Sequence, residues 1–516
     1  MDSLKERLKR YYSLDEEGYA RICREPSFSY LPSLSKSLAA LEAKSRIAEA
    51  IREGQRILIY GDYDCDGIMA TSIMARTLSL LGAKFDFYIP SRYTDGYGLT
   101  MENAKKILRA GYRLLICVDN GVSCLEQIAF LLDKGVETIV IDHHDLPAAL
   151  PPSRSLIHDR LLQCLSVKTS AGALSFYFSC LLLGKVDEES LFMGATSVVS
   201  DMMPMKAENA LLVSLANRLS RKGVGDRICR LADSELIDER ALSLRCIPAI
   251  NAVGRIEVGH KARALIPYFA RLKDDPGPAF ALLKEDNEKR KALSNEAEGK
   301  AKVDQSAPGC FQLSDLIEGL NGLLANRLLE KTGNPSLVLS KSYAHPGYYV
   351  GSMRGKGDFD CAAMVGPIRD SLYSFGGHQK AAGLSLSESN LGLLKDRFLS
   401  YCASLDKLDD EPLPSIPMGL SEANLDSYRV IRSFAPFGVE HPEPVFELTM
   451  DAASLLYSKT ERLCTPLGKG VRVFSFSLFR KDLPSMGQIA FSGTFSLSKK
   501  MGRASLTFYA NSFRLL

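Results

Sequence analysis

Three aspartates stand on alternate positions directly after a short apolar run. The stretch is ILIYGDYDCDG, from Ile57 to Gly67, and its acids are Asp62, Asp64 and Asp66. Carboxylates this close repel one another unless a cation lies among them. The pattern therefore predicts either a metal site or a solvated acidic turn.

Calcium bound in an EF-hand loop would be one occupant, because such a loop also begins Asp-x-Asp-x-Asp-Gly. That loop needs a glutamate at its twelfth position, whereas the twelfth residue counted from Asp62 is Ile73. The run Ile57–Tyr60 is also short, apolar and β-prone, whereas an EF-hand loop is entered from a helix. These two observations exclude an EF-hand.

Two further predicted strands also end in side chains that bind metals. They end in Asp119, after Leu114–Val118, and in Asp142, His143 and His144, after Thr138–Ile141. Open parallel sheets gather ligands at the carboxyl ends of their strands. Solvated turns explain one acidic strand end well but three poorly. The sequence therefore predicts a catalytic metal site assembled from three strands.

These strands belong to an alternation of strands and helices between residues 55 and about 145. The predicted elements are strand Ile57–Tyr60, helix Ile68–Leu81, strand Phe85–Ile89, helix Met101–Ala110, strand Leu114–Val118, helix Leu125–Lys134 and strand Thr138–Ile141. Such alternation is typical of an α/β fold with a mostly parallel, doubly wound sheet.

The whole chain of 516 residues has room for several domains at about 100–200 residues each. A helical segment is expected at residues 1–48 and the α/β domain at 49–275. A charged connecting helix at 276–305 leads to a second, smaller α/β domain at 306–405. Residues 406–516 are expected to form a linker and a β-rich, OB-like domain.

Basic and aromatic side chains interleave near the C-terminus, where residues 459–514 hold only two acids, Glu461 and Asp482. The basic residues are Lys459, Arg462, Lys469, Arg472, Arg480, Lys481, Lys499, Lys500, Arg503 and Arg514; the aromatic residues are Phe474, Phe476, Phe479, Phe491, Phe495, Phe508, Tyr509 and Phe513. This combination is typical of OB-like domains that bind single-stranded nucleic acid. Most of the phenylalanines are expected in the core, with one or two left to stack on bases.

Composition narrows the class of protein. The apolar share of 46% and the charged share of 24% are ordinary for a soluble globular protein. The charged N-terminus predicts no secretory signal, and no apolar run approaches the length of a membrane span. Twelve scattered cysteines argue against a disulfide framework and fit a reducing cytoplasm. With a net charge of only +3, contacts to nucleic acid are expected from local basic patches.

Four motifs in order along the chain resemble those of the DHH phosphoesterases. They are GDYDCDG, VDNG, IDHH and TSVVSDMMP, and INAVGR, GSMRG and SFGGHQKAAG are similar to later family segments. The resemblance covers about residues 40–450. It implies a DHH catalytic domain followed by a DHH-associated, substrate-binding domain. Within the family, the sequence is most similar to the nucleases that degrade single-stranded DNA.

The resemblance implies two divalent cations, Mn²⁺ or Mg²⁺, which suit a set of carboxylates with one imidazole. Asp119 would bridge them, Asp64 would bind one, and Asp66, His143 and Asp201 would bind the other. Asp62 is expected beside the first cation, either as a direct ligand or behind the ligands.

Other positions carry further roles implied by the resemblance. Asp142 would orient a histidine, and His144 would face the scissile phosphate. The alternative for His144 is a packed neighbour of His143. The 5′-terminal phosphate would be held by Arg92, Arg255, Ser352 and Arg354, and the substrate would also contact Gly376, Gly377 and His378. A planar guanidinium suits phosphate oxygens, whereas the alternative for the Gly-Gly-His segment is a turn with a surface histidine.

The implied function is a metal-dependent 5′→3′ exonuclease that hydrolyses single-stranded DNA to 5′-mononucleotides in DNA repair and recombination. Expected partners are single-stranded DNA, a helicase and a single-strand-binding protein, and the chain is expected to be a cytoplasmic monomer. One alternative is a DHH phosphodiesterase for short oligoribonucleotides or cyclic dinucleotides, although such chains usually lack the basic C-terminal strands. The other is a non-catalytic scaffold, although scaffolds lose the metal-binding acids that are present here.

Overall fold

The computed structural model describes residues 2–516 except 97, 236, 257–258, 302–303, 305–306, 406–413, 469 and 501–502. Residues 406–413, at the start of the region expected to contain the linker, therefore lie outside the described residues. So do Lys469 and the side chains of Lys500 and Arg503, which are among the basic residues expected to contact nucleic acid. The described residues form three β-sheets with separate hydrophobic cores.

Strands and helices alternate through most of the chain. The strands are β1 Arg56–Tyr60, β2 Lys84–Tyr88, β3 Leu114–Val118, β4 Glu137–Asp142, β5 Ser155–His158, β6 Cys310–Leu313, β7 Ser336–Lys341, β8 Tyr348–Arg354, β9 Ser374–His378, β10 Ala381–Ser387, β11 Ile416–Met418, β12 Phe446–Asp451, β13 Arg462–Gly468, β14 Val471–Phe479, β15 Gln488–Lys500 and β16 Arg503–Leu515. The α-helices are α1 Leu4–Tyr11, α2 Glu16–Ile22, α3 Leu38–Arg52, α4 Cys65–Leu80, α5 Met101–Arg109, α6 Leu125–Asp133, α7 Ala171–Leu183, α8 Glu188–Ser200, α9 Ala207–Ser220, α10 Asp226–Cys229, α11 Glu239–Ala241, α12 Ile247–Val253, α13 Leu265–Phe269, α14 Gly277–Lys300, α15 Asn321–Thr332, α16 Cys361–Val365, α17 Leu391–Ala403 and α18 Leu425–Arg432.

The first sheet has the order β2-β1-β3-β4-β5, and all of its neighbouring strands run parallel. Alternate residues of β1 enter two cores, because Ile57 and Ile59 pack with α4 and α7 whereas Leu58 and Tyr60 pack with α5 and α6. The predicted doubly wound parallel sheet is confirmed. The sequence does not predict the short edge strand β5, because Ser155 and His158 interrupt its apolar pattern.

The second sheet has the order β6-β7-β8-β10-β9 and is mixed, with only β6 and β7 parallel. Residues of α15 pack on one face, and residues of α16 and α17 pack on the other. A second, smaller α/β unit is therefore present, as predicted. The charged helix α14 precedes this unit. Within the described ranges, no helix combines the length and the apolar character that crossing a membrane requires.

The third sheet has the order β11-β12-β15-β16-β14-β13. If its last five strands, β12 to β16, are numbered 1 to 5 along the chain, their order across the sheet is 1-4-5-3-2. The third and fifth of these strands, β14 and β16, run parallel. This is the strand order of the Greek-key barrel of an OB fold. The predicted β-rich, OB-like C-terminal region is thus confirmed in its topology.

The first helices of the chain pack against this third sheet. Leu8 of α1 is completely buried in the same core as Phe434 and Phe446. The Tyr12 hydroxyl donates a 2.7 Å hydrogen bond to the carbonyl of Pro442. By contrast, Ile47 of α3 lies in the core of the first sheet. The N-terminal helices therefore serve two different units of the structure.

The third unit is also joined to the first through a buried ion pair. The Arg432 guanidinium donates two hydrogen bonds, of 2.6 and 2.9 Å, to the buried carboxylate of Glu239. Met205 donates its amide to the Val439 carbonyl across the same interface. Removing the third unit would leave a buried charge unpaired and Leu8 exposed. Point substitutions are therefore better tests of its function than truncation.

Candidate metal centre

The acidic residues meet at the carboxyl edge of the first sheet. Asp62 and Asp64 lie in the turn between β1 and α4, and Asp66 lies in the first turn of α4. Asp119 directly follows β3 with a left-handed backbone (φ 60°), an uncommon conformation for a residue other than glycine. Asp201 directly follows α8. Three separate segments thus bring their carboxylates to one place.

Their ligand atoms form overlapping groups. The groups, each with atoms within 4.8 Å of one another, are Asp62, Asp64 and Asp119; Asp66, His143 and Asp201; and Asp119, His143 and His144. His143 connects them, because its Nε2 atom lies 3.4 Å from oxygens of Asp119 and Asp201 and 3.6 Å from Asp66. The structure therefore brings together all six residues predicted as metal ligands, and their individual roles stay a prediction.

The electrostatics of this cluster call for a cation. Burial and the neighbouring carboxylates raise the pKa of Asp62 and of Asp201 to about 8 and that of Asp66 to about 6. The same two causes raise the pKa of Asp119 well above its usual range. The buried Oδ1 atom of Asp62 has no hydrogen-bond partner among the described residues. These carboxylate oxygens and one imidazole fit hard divalent cations.

His143 is suited to bind a metal. Burial, together with the neighbouring His144, lowers the pKa of His143 to about 3, so its ring is neutral at physiological pH. A neutral imidazole is the form that coordinates metals. Its Nε2 atom already faces the carboxylates of Asp66, Asp119 and Asp201.

Asp142 lies behind the cluster and contacts the second histidine. Its Oδ1 atom is 2.7 Å from His144 Nδ1, and its Oδ2 accepts a 3.0 Å hydrogen bond from the Val122 amide. Although burial opposes ionisation, these bonds hold the pKa of Asp142 below its usual range. Burial also opposes the charge on His144, but the bond to Asp142 raises the pKa of His144 to about 9. His144 is therefore a half-exposed imidazolium beside the acidic cluster.

The start of α7 supports Asp66 in a way that the sequence analysis does not predict. The amides of Ala171 and Gly172 donate hydrogen bonds of 3.0 and 2.7 Å to the two oxygens of Asp66, and the Ser197 hydroxyl donates a third. A helix N-terminus favours a negative charge. The helix-capping Ser170 marks this helix start in the sequence, but nothing local indicates which acid it holds.

A lysine beside the cluster, Lys168, is also absent from the site residues that the sequence predicts. The half-buried Lys168 is close enough that its charge helps to lower the pKa of His143 and opposes the rise in that of Asp201. Its loop is fixed, since Asn209 donates a 2.8 Å hydrogen bond to the Lys168 carbonyl and Thr169 donates its amide to Asp159. Lys168 lies outside the motifs, so only the fold reveals it.

Two of the predicted phosphate-binding residues, Arg92 and Arg255, lie next to one end of the cluster. The Arg92 guanidinium lies 4.6 Å from the ring centre of Tyr63, and its charge acts on Asp62. Burial and the charge of Arg92 lower the pKa of Arg255 to about 10. Within the described part of the chain, neither arginine has an ion pair with a carboxylate. Two converging arginines of this kind are a suitable site for an anion.

Ser352 and Arg354 approach the same place from the second unit. Arg354 donates a 2.8 Å hydrogen bond to the Ser352 hydroxyl. A Cβ atom on Gly322 would lie 2.8 Å from the Arg354 guanidinium, and one on Gly319 would lie 2.5 Å from the Arg255 carbonyl. The segment 319–322 therefore lies between the Arg255 backbone and the side chains of Ser352 and Arg354. We call Arg92, Arg255, Ser352 and Arg354 the arginine pocket, and their common role in binding a phosphate stays a prediction.

The Gly-Gly-His segment lies on the exposed edge strand β9. Gly377 adopts φ 139°, and a Cβ atom there would lie 2.5 Å from the Ala381 carbonyl, so glycine is required. A Cβ atom on Gly376 would meet open space. Register places His378 opposite Ala381, which pairs with Arg354 on the next strand. No contact joins His378 to the acidic cluster within the described residues, and its substrate-binding role stays a prediction.

The C-terminal sheet divides its aromatic residues between core and surface. Phe491, Phe495 and Phe508 are buried, whereas Phe476 is 66% exposed. The ring of Phe476 stacks on Tyr509 with centres 5.6 Å apart and planes 4° apart, and Phe474 packs edge-on at 4.9 Å. We call Phe474, Phe476 and Tyr509 the aromatic trio.

Arginines accompany the trio. The Arg472 guanidinium lies 5.7 Å from the Phe474 ring centre, and that of Arg240 lies 5.2 Å from the Tyr509 ring centre. Arg240 belongs to the first unit, so the trio lies where the first and third units meet. An exposed ring beside cations is the combination that stacks on bases of single-stranded nucleic acid.

Comparison with known proteins identifies a family model and several exonucleases that are similar to this chain. Residues 56–192 match the model of the DHH family, N-terminal domain. The single-stranded-DNA-specific exonuclease RecJ of Bacillus subtilis is 29% identical over 78% of this chain and 53% of its own length. RecJ of Thermus thermophilus is 30% identical over 79% of this chain and 61% of its own length. The chain thus spans between half and two thirds of these relatives.

The solved structures agree in fold. The crystal structure of Thermus thermophilus RecJ in complex with Mn²⁺ aligns with 99% of this chain and 76% of that protein, with a TM-score of 0.79 and 24% identity. This likeness extends through all three units. The resemblance to the DHH phosphoesterases, and within them to RecJ, is therefore confirmed.

We expect Mn²⁺ to raise the melting temperature of this protein, because a cation relieves the repulsion among the buried acids. A ligand at 100 times its Kd stabilises a folded protein by about 2.7 kcal/mol. Asp119→Asn should remove most of this increase, since Asp119 belongs to two of the ligand groups. Thermal unfolding with Mn²⁺ and with EDTA measures the difference.

The control for this measurement is Asp133→Asn. Asp133 is an exposed acid at the end of α6, paired only with Lys134 in the described structure. This variant should keep the full increase caused by Mn²⁺. An equally large increase in Asp119→Asn would show that the cation binds elsewhere.

Proposed function

We propose that this chain, a relative of the RecJ exonucleases, is a metal-dependent 5′→3′ exonuclease that hydrolyses single-stranded DNA to 5′-mononucleotides. The observation that carries the proposal is the arginine pocket beside the acidic cluster. The positive charge of Arg92 interacts with the carboxylate of Asp62, and the guanidinium of Arg255 interacts with the negative charge of Asp64. A phosphate held in that pocket would therefore place the adjoining part of a strand at the carboxylates.

The residues present fit two divalent cations. Asp62, Asp64 and Asp119 would hold one, and Asp66, Asp119, His143 and Asp201 would hold the other, with Mn²⁺ or Mg²⁺ as the ions that such donors suit. When bound, such a pair activates water and neutralises charge on the phosphate. Asp119, which lies in reach of both groups, is the residue proposed to bridge them.

Two cationic side chains of this chain would act on the scissile phosphate. Asp142 fixes the His144 ring through Nδ1 and keeps it protonated. A protonated ring at this position can donate a hydrogen bond to a phosphate oxygen and stabilise negative charge as it develops. Lys168 adds a second positive charge beside Asp201 and His143. Both would orient the phosphate at the carboxylates.

The arginine pocket accounts for the choice of end. Only a terminal phosphate exposes enough oxygens to engage Arg92, Arg255 and Arg354 together, because an internal phosphate uses two oxygens in the chain. The pocket adjoins the end of the cluster formed by Asp62 and Asp64. The strand would then bind with its 5′ end in the pocket and lose its first nucleotide.

The alternative functions are less well supported. A short oligoribonucleotide or a cyclic dinucleotide would not extend from the active site to the aromatic trio, so a phosphodiesterase for such substrates would not need it. A scaffold has no use for a complete set of ligands, and all six are present here. Our proposal includes a role in DNA repair and recombination, a cytoplasmic location, a monomeric state and work beside a helicase and a single-strand-binding protein.

The proposal is tested by incubating the protein with Mn²⁺ and a panel of substrates. We expect mononucleotides from 5′-phosphorylated single strands, with much slower release from the same sequence as a blunt duplex or as short RNA. Asp119→Ala serves as the control for contaminating nucleases and should release none. Faster turnover of a cyclic dinucleotide than of the single strand would favour the alternative enzyme.

Arg354→Ala should raise KM for 5′-phosphorylated strands by about tenfold or more and affect 5′-hydroxyl strands much less. The reason is that a charge-assisted hydrogen bond to the terminal phosphate is worth about 1.5–3 kcal/mol. Arg369→Ala is the matched control, because Arg369 is an exposed arginine of the same unit. Equal losses on both strands would mean that Arg354 contacts the internal backbone or supports folding.

Phe476→Ala should weaken the affinity for long single strands by about 1–3 kcal/mol and leave cleavage of very short oligonucleotides unchanged. The dependence of affinity on salt should keep its slope, because stacking neutralises no phosphate. Met486→Ala, at an 80% exposed residue of the same unit, is the control. Unchanged affinity in a folded Phe476→Ala protein would exclude the trio from strand binding.

A further inference from the structure

An apolar cavity of about 490 Å³ lies between the first and third units. From the first unit it is lined by Val198, Met202, Met203 and Leu244, and from the third by Phe437 and Val439, among others. Three of these side chains are exposed although they are apolar: Met202 by 70%, Leu244 by 64% and Val439 by 36%. Exposed apolar side chains gathered around one cavity indicate a binding site.

The wall of the cavity adjoins the metal centre along the chain. Asp201, whose carboxylate lies 3.4 Å from His143, is followed directly by the lining residue Met202, and Val198 and Val199 line the cavity from the preceding helix turn. Among the acids, Asp201 belongs to the ligand group that is remote from the arginine pocket, which adjoins Asp62 and Asp64. The arginine pocket and the apolar cavity therefore lie at opposite ends of the acidic cluster.

The far side of the cavity continues into the aromatic trio. Arg240 lines the cavity, donates a 2.7 Å hydrogen bond to Glu443 and lies over the ring of Tyr509. Tyr509 stacks on Phe476. The cavity therefore lies between the Asp201 end of the acidic cluster and the aromatic trio.

The chemistry of the walls fits a nucleobase. A base has two apolar faces and a polar rim, and the cavity combines apolar walls with the polar side chains of Arg240 and Ser243. The charges that line it are paired, Arg240 with Glu443 and Arg432 with Glu239, so it attracts neither a free anion nor a free cation. Three methionines, at 202, 203 and 205, supply a polarisable surface that accepts bases of different shape.

We propose that this cavity receives an unstacked nucleobase of the single strand on the 3′ side of the scissile phosphate. This inference rests on the proposed function, since it assumes a strand bound across the acids with its 5′ phosphate in the arginine pocket. The cavity would fix the strand between the reacting phosphate and the aromatic trio. Leu244 and Val439, on opposite walls, would be the residues that contact the base.

The test scans a 5′-phosphorylated oligothymidylate with one abasic nucleotide, moved one position at a time from the 5′ end. Binding is measured by fluorescence anisotropy to protein carrying Asp119→Ala, which prevents hydrolysis. We expect one position, or two adjacent ones, at which the missing base weakens binding by about fivefold to tenfold. Leu244→Ala, added to this protein, should weaken binding of the intact strand by a similar factor.

The decisive comparison combines the two changes. In the Leu244→Ala protein the abasic nucleotide at the sensitive position should cause no further loss, because the contact is already gone. Val439→Ala should behave in the same way from the opposite wall. Leu132→Ala, at a 44% exposed leucine of α6, is the control and should leave the abasic profile unchanged. Melting transitions establish that each variant is folded.

Two outcomes separate this inference from the function on which it rests. If the wild-type protein cleaves single strands but the abasic losses are the same with and without Leu244→Ala, the cavity does not bind a base and the inference is wrong. If the wild-type protein neither cleaves nor binds single strands, the proposed function itself is wrong.

Discussion

Repulsion among the buried carboxylates at the edge of the first sheet governs which groups surround the metal centre. Asp62, Asp66 and Asp119 are buried, and burial and their mutual charge raise their pKa values. A fold selected for stability alone would place apolar or paired residues there. The surrounding structure offsets the repulsion only in part, through the amides of Ala171 and Gly172 and the hydroxyl of Ser197, which donate hydrogen bonds to Asp66.

This constraint also explains how the cationic groups are distributed. Each end of the acidic cluster has its own: Arg92 and Arg255 near Asp62 and Asp64, and Lys168 and His144 near Asp201. His144 is paired with Asp142, whereas no direct ion pair joins Arg92, Arg255 or Lys168 to an acid of the cluster within the described residues. These three side chains are placed to act on a bound anion, which agrees with a polyanionic substrate lying across the site.

Much of this site can be predicted from the sequence, because the end of each apolar run shows where a strand ends and which residues follow at the edge of the sheet. The run Ile57–Tyr60 predicts a buried strand, and its last residue predicts where Asp62 must emerge. The same reasoning locates Asp119 and His143. Asp201 follows a helix rather than a strand, so its place in the cluster comes only from the resemblance to the DHH family.

Other features depend on contacts between distant segments and are absent from any local pattern. The support of Asp66 by α7, the position of Lys168 and the cavity at Leu244 each bring together residues far apart in the chain. The packing of Leu8 in the C-terminal core is a further case, since the amphipathic helix α1 indicates only that one face is buried. The sequence likewise cannot show that Phe476 is exposed while Phe491 is buried.

We propose that these acids hold two cations close together, with Asp119 as a ligand that both share. Electron paramagnetic resonance of the protein titrated with Mn²⁺ tests it most directly, because two Mn²⁺ ions about 3.5–4 Å apart couple their spins. We expect two bound ions per chain with a spin-coupled spectrum, which Asp119→Asn replaces by the spectrum of isolated ions or none. A single, magnetically isolated Mn²⁺ in the wild-type protein, unchanged in Asp119→Asn, would contradict it.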